Sequence, residues 1–147
     1  MALGICYRAI KLGMRVPDGL LLAYPACNLN VKDFNPYLLN GMVDQIAPST
    51  ILTLVLAEYV KSEKLRPDID PYLSPLYADA EFLKRLPKII IMSGAMDSLT
   101  GDCLKFVNKM VKLKKDIKMY LYNGLSHGFM NFEVPLFAVP KIKPVIE

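Results

Sequence analysis

Two side chains in this sequence have the types that proton-transfer catalysis needs. Asp97 closes the segment Ser93-Gly94-Ala95-Met96-Asp97. His127, the sole histidine, sits in Asn123-Gly124-Leu125-Ser126-His127-Gly128-Phe129. An imidazole changes charge near neutral pH and can carry a proton to and from a reacting oxygen. A carboxylate on its far nitrogen would fix the tautomer and stabilise the imidazolium. Gly128 lets the backbone turn tightly beside the ring. Acid followed by base is the chain order of a hydrolytic triad whose serine lies upstream. The same spacing also fits a plainer reading, a loop histidine and a carboxylate favoured by a helix dipole. Asp102, in the first turn of the following helix, suits that second role better.

The elements that would position the pair are readable from periodicity. Lys88 to Met92 and Ile117 to Tyr122 are short apolar runs that predict strands. Between them, residues 101–114 predict an amphipathic helix, with Cys103, Val107, Met110 and Val111 inward and Lys105, Asn108, Lys109 and Lys112 outward. A right-handed strand–helix–strand crossover puts the loops after both strands on one rim, where ligands bind in parallel sheets. Upstream, residues 2–12 predict a helix, the turn Val16-Pro17-Asp18-Gly19 follows, and Leu20 to Tyr24 predicts a third strand stopped by Pro25. That strand lacks alternation, which predicts burial on both faces. Residues 26–47 read as loop. Residues 48–61 predict a helix with Pro48 in its first turn. Its apolar residues cover more than one stripe, so it is either deeply buried or faces a partner or ligand. Residues 62–87 read as irregular around a short helix from Ala80 to Arg85. The tail 131–147 holds Pro135, Pro140 and Pro144 and cannot be one continuous helix. The order predicts an α/β fold with a parallel sheet flanked by helices.

Composition narrows the class. The chain has 147 residues, 53% of them apolar and 22% charged, enough for a core and unlike a disordered polymer. No apolar run approaches the roughly 18 residues of a membrane span. The net charge is +4. Lys109, Lys112, Lys114, Lys115 and Lys118 form a basic cluster without interleaved aromatics, which reads as a solvated helix face and predicts no nucleic-acid partner. Cys6, Cys27 and Cys103 are odd in number and form no CxxC; with one histidine they spell no metal site. They read as free thiols in a reducing compartment, and no secretory leader is evident. Cys103 is a poor nucleophile candidate because it lies on an apolar face. Ser126 adjoins His127, but neighbours in an extended loop point apart. Tyr24 and Phe129 fit either an acyl pocket or the core. Ser74 and Asp70 lie in loop segments near the rim and are assigned no chemistry.

Several segments together resemble the hormone-sensitive lipase family of α/β-hydrolases. They are Arg15-Val16-Pro17-Asp18-Gly19, Leu22-Ala23-Tyr24-Pro25-Ala26, Leu73-Ser74-Pro75-Leu76-Tyr77-Ala78, Asp97-Ser98-Leu99 and His127-Gly128-Phe129. The resemblance implies that Asp97 is the triad acid and His127 the triad base. It implies hydrolysis of carboxylic esters, acylglycerols among them, with no metal or organic cofactor. It also implies a cytoplasmic enzyme that makes peripheral contact with lipid droplets or membranes. The chain departs from the family pattern where Ser98 replaces a proline after the acid. Gly101 replaces a second acid, and Asp102 keeps the next one. The family's Gly-Asp-Ser-Ala-Gly elbow and upstream His-Gly-Gly segment have no counterpart in the sequence. Residues 1–147 therefore read as the C-terminal portion of a catalytic domain, a partial α/β-hydrolase without its nucleophile, whose partner is the missing N-terminal half. Two alternatives remain. One is a non-catalytic truncated hydrolase that binds lipid or a partner through the apolar helix at 48–61. The other is an unrelated α/β ligand-binding domain, in which Asp97 and His127 would not touch.

Overall fold

The computed structural model describes residues 1–132 except 31, 43, 45, 46 and 63. The predicted tail from residue 133 onward lies outside the described residues. The elements follow as α1 (Ala2–Lys11), β1 (Gly19–Ala23), α2 (Ser49–Tyr59), α3 (Ala80–Arg85), β2 (Lys88–Gly94), α4 (Thr100–Lys112) and β3 (Ile117–Tyr122). Short 3-10 turns occupy Pro36–Met42, Pro75–Tyr77 and Phe129–Phe132. The three strands form a parallel sheet in the order β1-β2-β3. The α/β class and all three strand positions agree with the sequence pattern.

The sheet has one covered face. Leu22 stands beside Ile91, and Ile89 beside Ile117, in the register of the ladder. Ile89 and Ile91 are fully buried, and Leu20, Ile117 and Met119 pack on the same core. On the opposite face Leu21 is 66% exposed and Tyr120 48%. The sequence pattern predicts β1 to be buried on both faces. It is instead an edge strand among the described residues, and its run of leucines does not alternate to match this one-sided burial. A parallel sheet is ordinarily covered on both sides, so the open face is an apolar surface without a cover among the described residues.

Two helices close the covered face. α1 buries Leu3, Cys6, Tyr7 and Ile10, the spacing of one helical stripe. The Tyr7 hydroxyl donates to the Pro75 carbonyl at 3.4 Å, and its ring meets Tyr72 and Phe82 edge-on. α4 buries Cys103, Phe106 and Met110. Val111, expected inward, is 57% exposed: it lies one residue, about 100° of helical rotation, past Met110. Phe106 takes the central place on that stripe. Two lysines of the basic cluster are also not simply solvated. Lys109 Nζ donates to the carbonyls of Leu76 and Ala78 at 2.8 Å each. Lys115 Nζ donates to those of Lys84 and Leu86. Both satisfy carbonyls left open by the turn and by the end of α3. α2 contains no buried residue, which removes the deep-burial option for that helix and leaves its apolar side facing outward.

Phe106→Ala should destabilise the protein by about 3–5 kcal/mol, as cavity-forming core changes do. Val111→Ala should change stability by less than about 0.5 kcal/mol. Urea denaturation of both variants checks the inward and outward assignments, and equal losses would contradict them.

Candidate active site

The rim of the sheet is built by two loops bonded to each other. After β2 the backbone N–H of Ala95 donates to Tyr122 O at 2.9 Å, and that of Met96 to Leu125 O at 3.0 Å. The approach is so close that a Cβ on Gly94 would lie 2.1 Å from Leu125 O. Glycine is thus the residue that fits at Gly94. Behind it, the buried Thr100 hydroxyl donates to Gly94 O at 2.7 Å and lies 2.6 Å from the Ser93 hydroxyl. The second loop turns through Gly124 and Gly128, with positive φ of 73° and 74°, a conformation glycine adopts without strain.

These loops bring Asp97 and His127 together. His127 Nδ1 lies 3.0 Å from Asp97 Oδ2. The Asp97 side chain is fully buried, while that of His127 is 28% exposed. Asp97 Oδ1 accepts the backbone N–H of Leu99 at 2.8 Å. The Asp97 backbone is tied on either side: its N–H donates to Gly94 O and its carbonyl accepts from Thr100 N. Both carboxylate oxygens therefore have a donor, as a buried charge requires. The Asp97 contact favours the tautomer with the proton on Nδ1, leaving the Nε2 lone pair to accept a proton from another group. The hydrogen bond to Asp97 raises the His127 pKa, burial opposes it, and the charges of Asp97 and Asp44 add to the rise.

Aromatic rings complete the setting. Tyr24 meets the imidazole edge-on with centroids 4.9 Å apart. It holds a left-handed backbone, φ 36°, which is uncommon for a bulky residue. Phe129 is buried and meets both Tyr24 and Tyr122. Of the two roles open to it, Phe129 takes the core one, while Tyr24 borders the histidine.

The other candidates fall away from the chemistry. The Cys103 thiol lies 3.1 Å from the Pro25 carbonyl, donating to it. Hydrogen bonding with Cys27 and burial push its pKa up, so it is held as a thiol. All three cysteines are free and buried. The Ser74 hydroxyl accepts the Leu29 N–H and is buried. Asp70 accepts the N–H of Tyr72 in an exposed turn. Among the described residues no serine hydroxyl is bonded to the His127 ring, and no cluster of three or more metal-ligating side chains occurs.

Sequence reasoning missed three residues of the insertion between β1 and α2. Asn35 Nδ2 donates to Ser98 O at 3.3 Å, and Asn40 Nδ2 to Ala95 O at 3.0 Å. Asp44 Oδ2 accepts the backbone N–H of His127 at 3.4 Å. Their signal is an asparagine-rich loop, which reads as turn chemistry. Asn35 also accounts for Gly101. A Cβ there would lie 1.8 Å from Asn35 Oδ1, so the amide occupies the space of the side chain that Gly101 lacks.

The family described as having the α/β-hydrolase fold matches residues 1–131, and the chain belongs to that family. Within it the chain is similar to hormone-sensitive lipase. It is 29% identical to the Mus musculus lipase over 62 residues, covering 42% of this chain and 8% of that protein. It is 30% identical to the Homo sapiens lipase over 61 residues, covering 42% and 6%. Its fold matches carboxyl esterase 2 of Tuber melanosporum with TM-score 0.79 at 20% identity, over 98% of this chain and 46% of that one. It likewise matches a thermostable esterase of Pseudomonas putida ECU1011 with TM-score 0.80 at 21% identity, over 97% and 43%. The chain covers under half the length of these esterases, and its aligned stretch under a tenth of the curated lipases. The expectation of an unrelated ligand-binding domain is overturned, both by the family match and by the contact between Asp97 and His127.

The NMR signal of His127, identified by its loss in the His127→Ala variant, reports the titration of this ring. The midpoint should lie above the ordinary value of about 6.5, and Asp97→Asn should lower it. A raised folded-state pKa contributes stability that is fully present below the unfolded value and is lost as pH rises through the folded one. Wild-type stability in urea should therefore fall across that window, and the Asp97→Asn variant should lose this slope. An unchanged midpoint in the variant would contradict the assignment.

Proposed function

We propose that residues 1–147 supply the acid and base of a serine carboxylic ester hydrolase of the hormone-sensitive lipase kind. The nucleophile and oxyanion donors would come from a segment outside these residues. The observation that carries the reading is the 3.0 Å contact between a fully buried Asp97 carboxylate and a partly exposed His127. Membership of the α/β-hydrolase family and similarity to esterases in fold support it. Acylglycerols and related carboxylic esters are the proposed substrates, met by peripheral contact with lipid.

In this reading His127 Nε2 takes the proton of a serine hydroxyl as its oxygen attacks the ester carbonyl. The imidazolium so formed is stabilised by Asp97, which stays ionised. When the tetrahedral intermediate collapses, the carbon–oxygen bond to the alcohol breaks and Nε2 returns the proton to the leaving oxygen. The same base then takes a proton from water, which attacks the acyl-enzyme. The acid is released and the serine regains its proton. The protein's contribution here is a base already oriented and a charge already in place, which avoids reorganisation during the reaction.

A second reading is favoured by one observation. α2 exposes Ile51, Leu54, Val55 and Tyr59, each more than half exposed, the apolar surface a non-catalytic hydrolase would use to bind lipid or a partner. A fluorophosphonate probe separates the two. The native protein should be labelled on a serine, and Asp97→Asn or His127→Ala should lower ester turnover about 10⁴-fold or more. A folded native protein that is not labelled, yet binds lipid vesicles in a manner abolished by Leu54→Glu, would favour the binding reading.

A further inference from the structure

The insertion before α2 carries a carboxylate that the reaction above leaves unused. Asp44 is 4% exposed. Its backbone N–H donates to Asn40 O at 3.0 Å, which ties it back to the 3-10 turn Pro36–Met42. Its Oδ1 accepts the N–H of Ala47 at 3.1 Å, just before α2. Its Oδ2 accepts the N–H of His127 at 3.4 Å, a long bond that the charge on the acceptor strengthens. One side chain thus joins the start of α2 to the backbone of the histidine, 83 residues away.

The same short segment grips the acid loop. Asn40 holds Ala95 O and Asn35 holds Ser98 O. At Gly41 a Cβ would lie 2.7 Å from the Ser98 hydroxyl. Asn35, Asn40, Gly41 and Asp44 therefore touch the loops of Asp97 and His127 between them. Asp97 from the β2–α4 loop and Tyr24 from the end of β1 meet the imidazole itself, while Asp44 from the insertion bonds the His127 backbone, and its charge adds to the rise in the ring's pKa.

We propose that Asp44 is a positioning residue for His127, one that fixes the backbone of the base loop and sets a second negative charge beside the imidazolium. It does not touch the reacting atoms; it acts through the histidine. The charge near the ring raises the free energy of the neutral base relative to the imidazolium. The anchor holds the ring where Nε2 must meet its proton donor, and small misplacements there are costly. The kinetic part of this inference rests on the esterase reading; the part concerning the histidine's titration does not.

Two variants separate anchor from charge. Asp44→Asn keeps an oxygen to accept an N–H and removes the charge. Asp44→Ala removes both. By NMR, each should lower the His127 titration midpoint in the folded protein. In ester turnover, Asp44→Ala should lower kcat about 10- to 100-fold with KM little changed. Asp44→Asn should restore kcat to within a few-fold of wild type and move the acid limb of kcat/KM to lower pH. A His127 midpoint unmoved in the folded Asp44→Asn protein would overturn the proposal, as would full kcat in Asp44→Ala. Absence of turnover in the wild-type protein would count against the esterase reading alone, because the NMR comparison still reads the coupling of Asp44 to His127.

Discussion

The buried carboxylate of Asp97 is the constraint on which the rim of this fold depends. An ionised carboxylate out of reach of water is costly unless each oxygen meets a donor. Asp97 meets that demand with the backbone N–H of Leu99 and the ring of His127. Both donors lie on loops, so both loops must be held. The β2–α4 loop is held by the bonds from Ala95 and Met96 to the β3 side and by the Thr100 hydroxyl on Gly94 O. The absence of a side chain at Gly94 is what allows the two backbones to approach so closely. The geometry of the pair is therefore a consequence of the sheet edge below it.

Much of this is legible in the sequence, for identifiable reasons. The strands β2 and β3 are short apolar runs joined by a helix of clear period, and handedness alone then places Asp97 and His127 on one rim. What the pattern misplaces has local or long-range causes. Met110 and Val111 are adjacent and both apolar, so periodicity alone does not separate them at the border of the stripe; Met110 is buried and Val111 is not. β1 reads as doubly buried because Leu20, Leu21 and Leu22 are alike, although only one face is covered among the described residues. Asn35, Asn40 and Asp44 carry no periodic signal. Their partners lie 63, 55 and 83 residues away, and nothing local in residues 26–47 points to them.

The insertion between β1 and α2 thus has a double character. Its inner side, through Asn35, Asn40 and Asp44, is polar and braces the two loops of the site. Its outer side, through Phe34, Leu39, Met42 and the α2 residues Leu54 and Tyr59, is apolar and exposed. The face of the sheet at Leu21 is likewise apolar and exposed.

The central claim is that the Asp97–His127 pair serves a serine supplied from outside residues 1–147. It is tested most directly by the intact mass of the native protein after fluorophosphonate treatment, with peptide mapping of the adduct. The account predicts a product well above 16.5 kDa, labelled once, on the serine of a Gly-x-Ser-x-Gly peptide not found in this sequence. A native, folded product of about that mass carrying no label would contradict it.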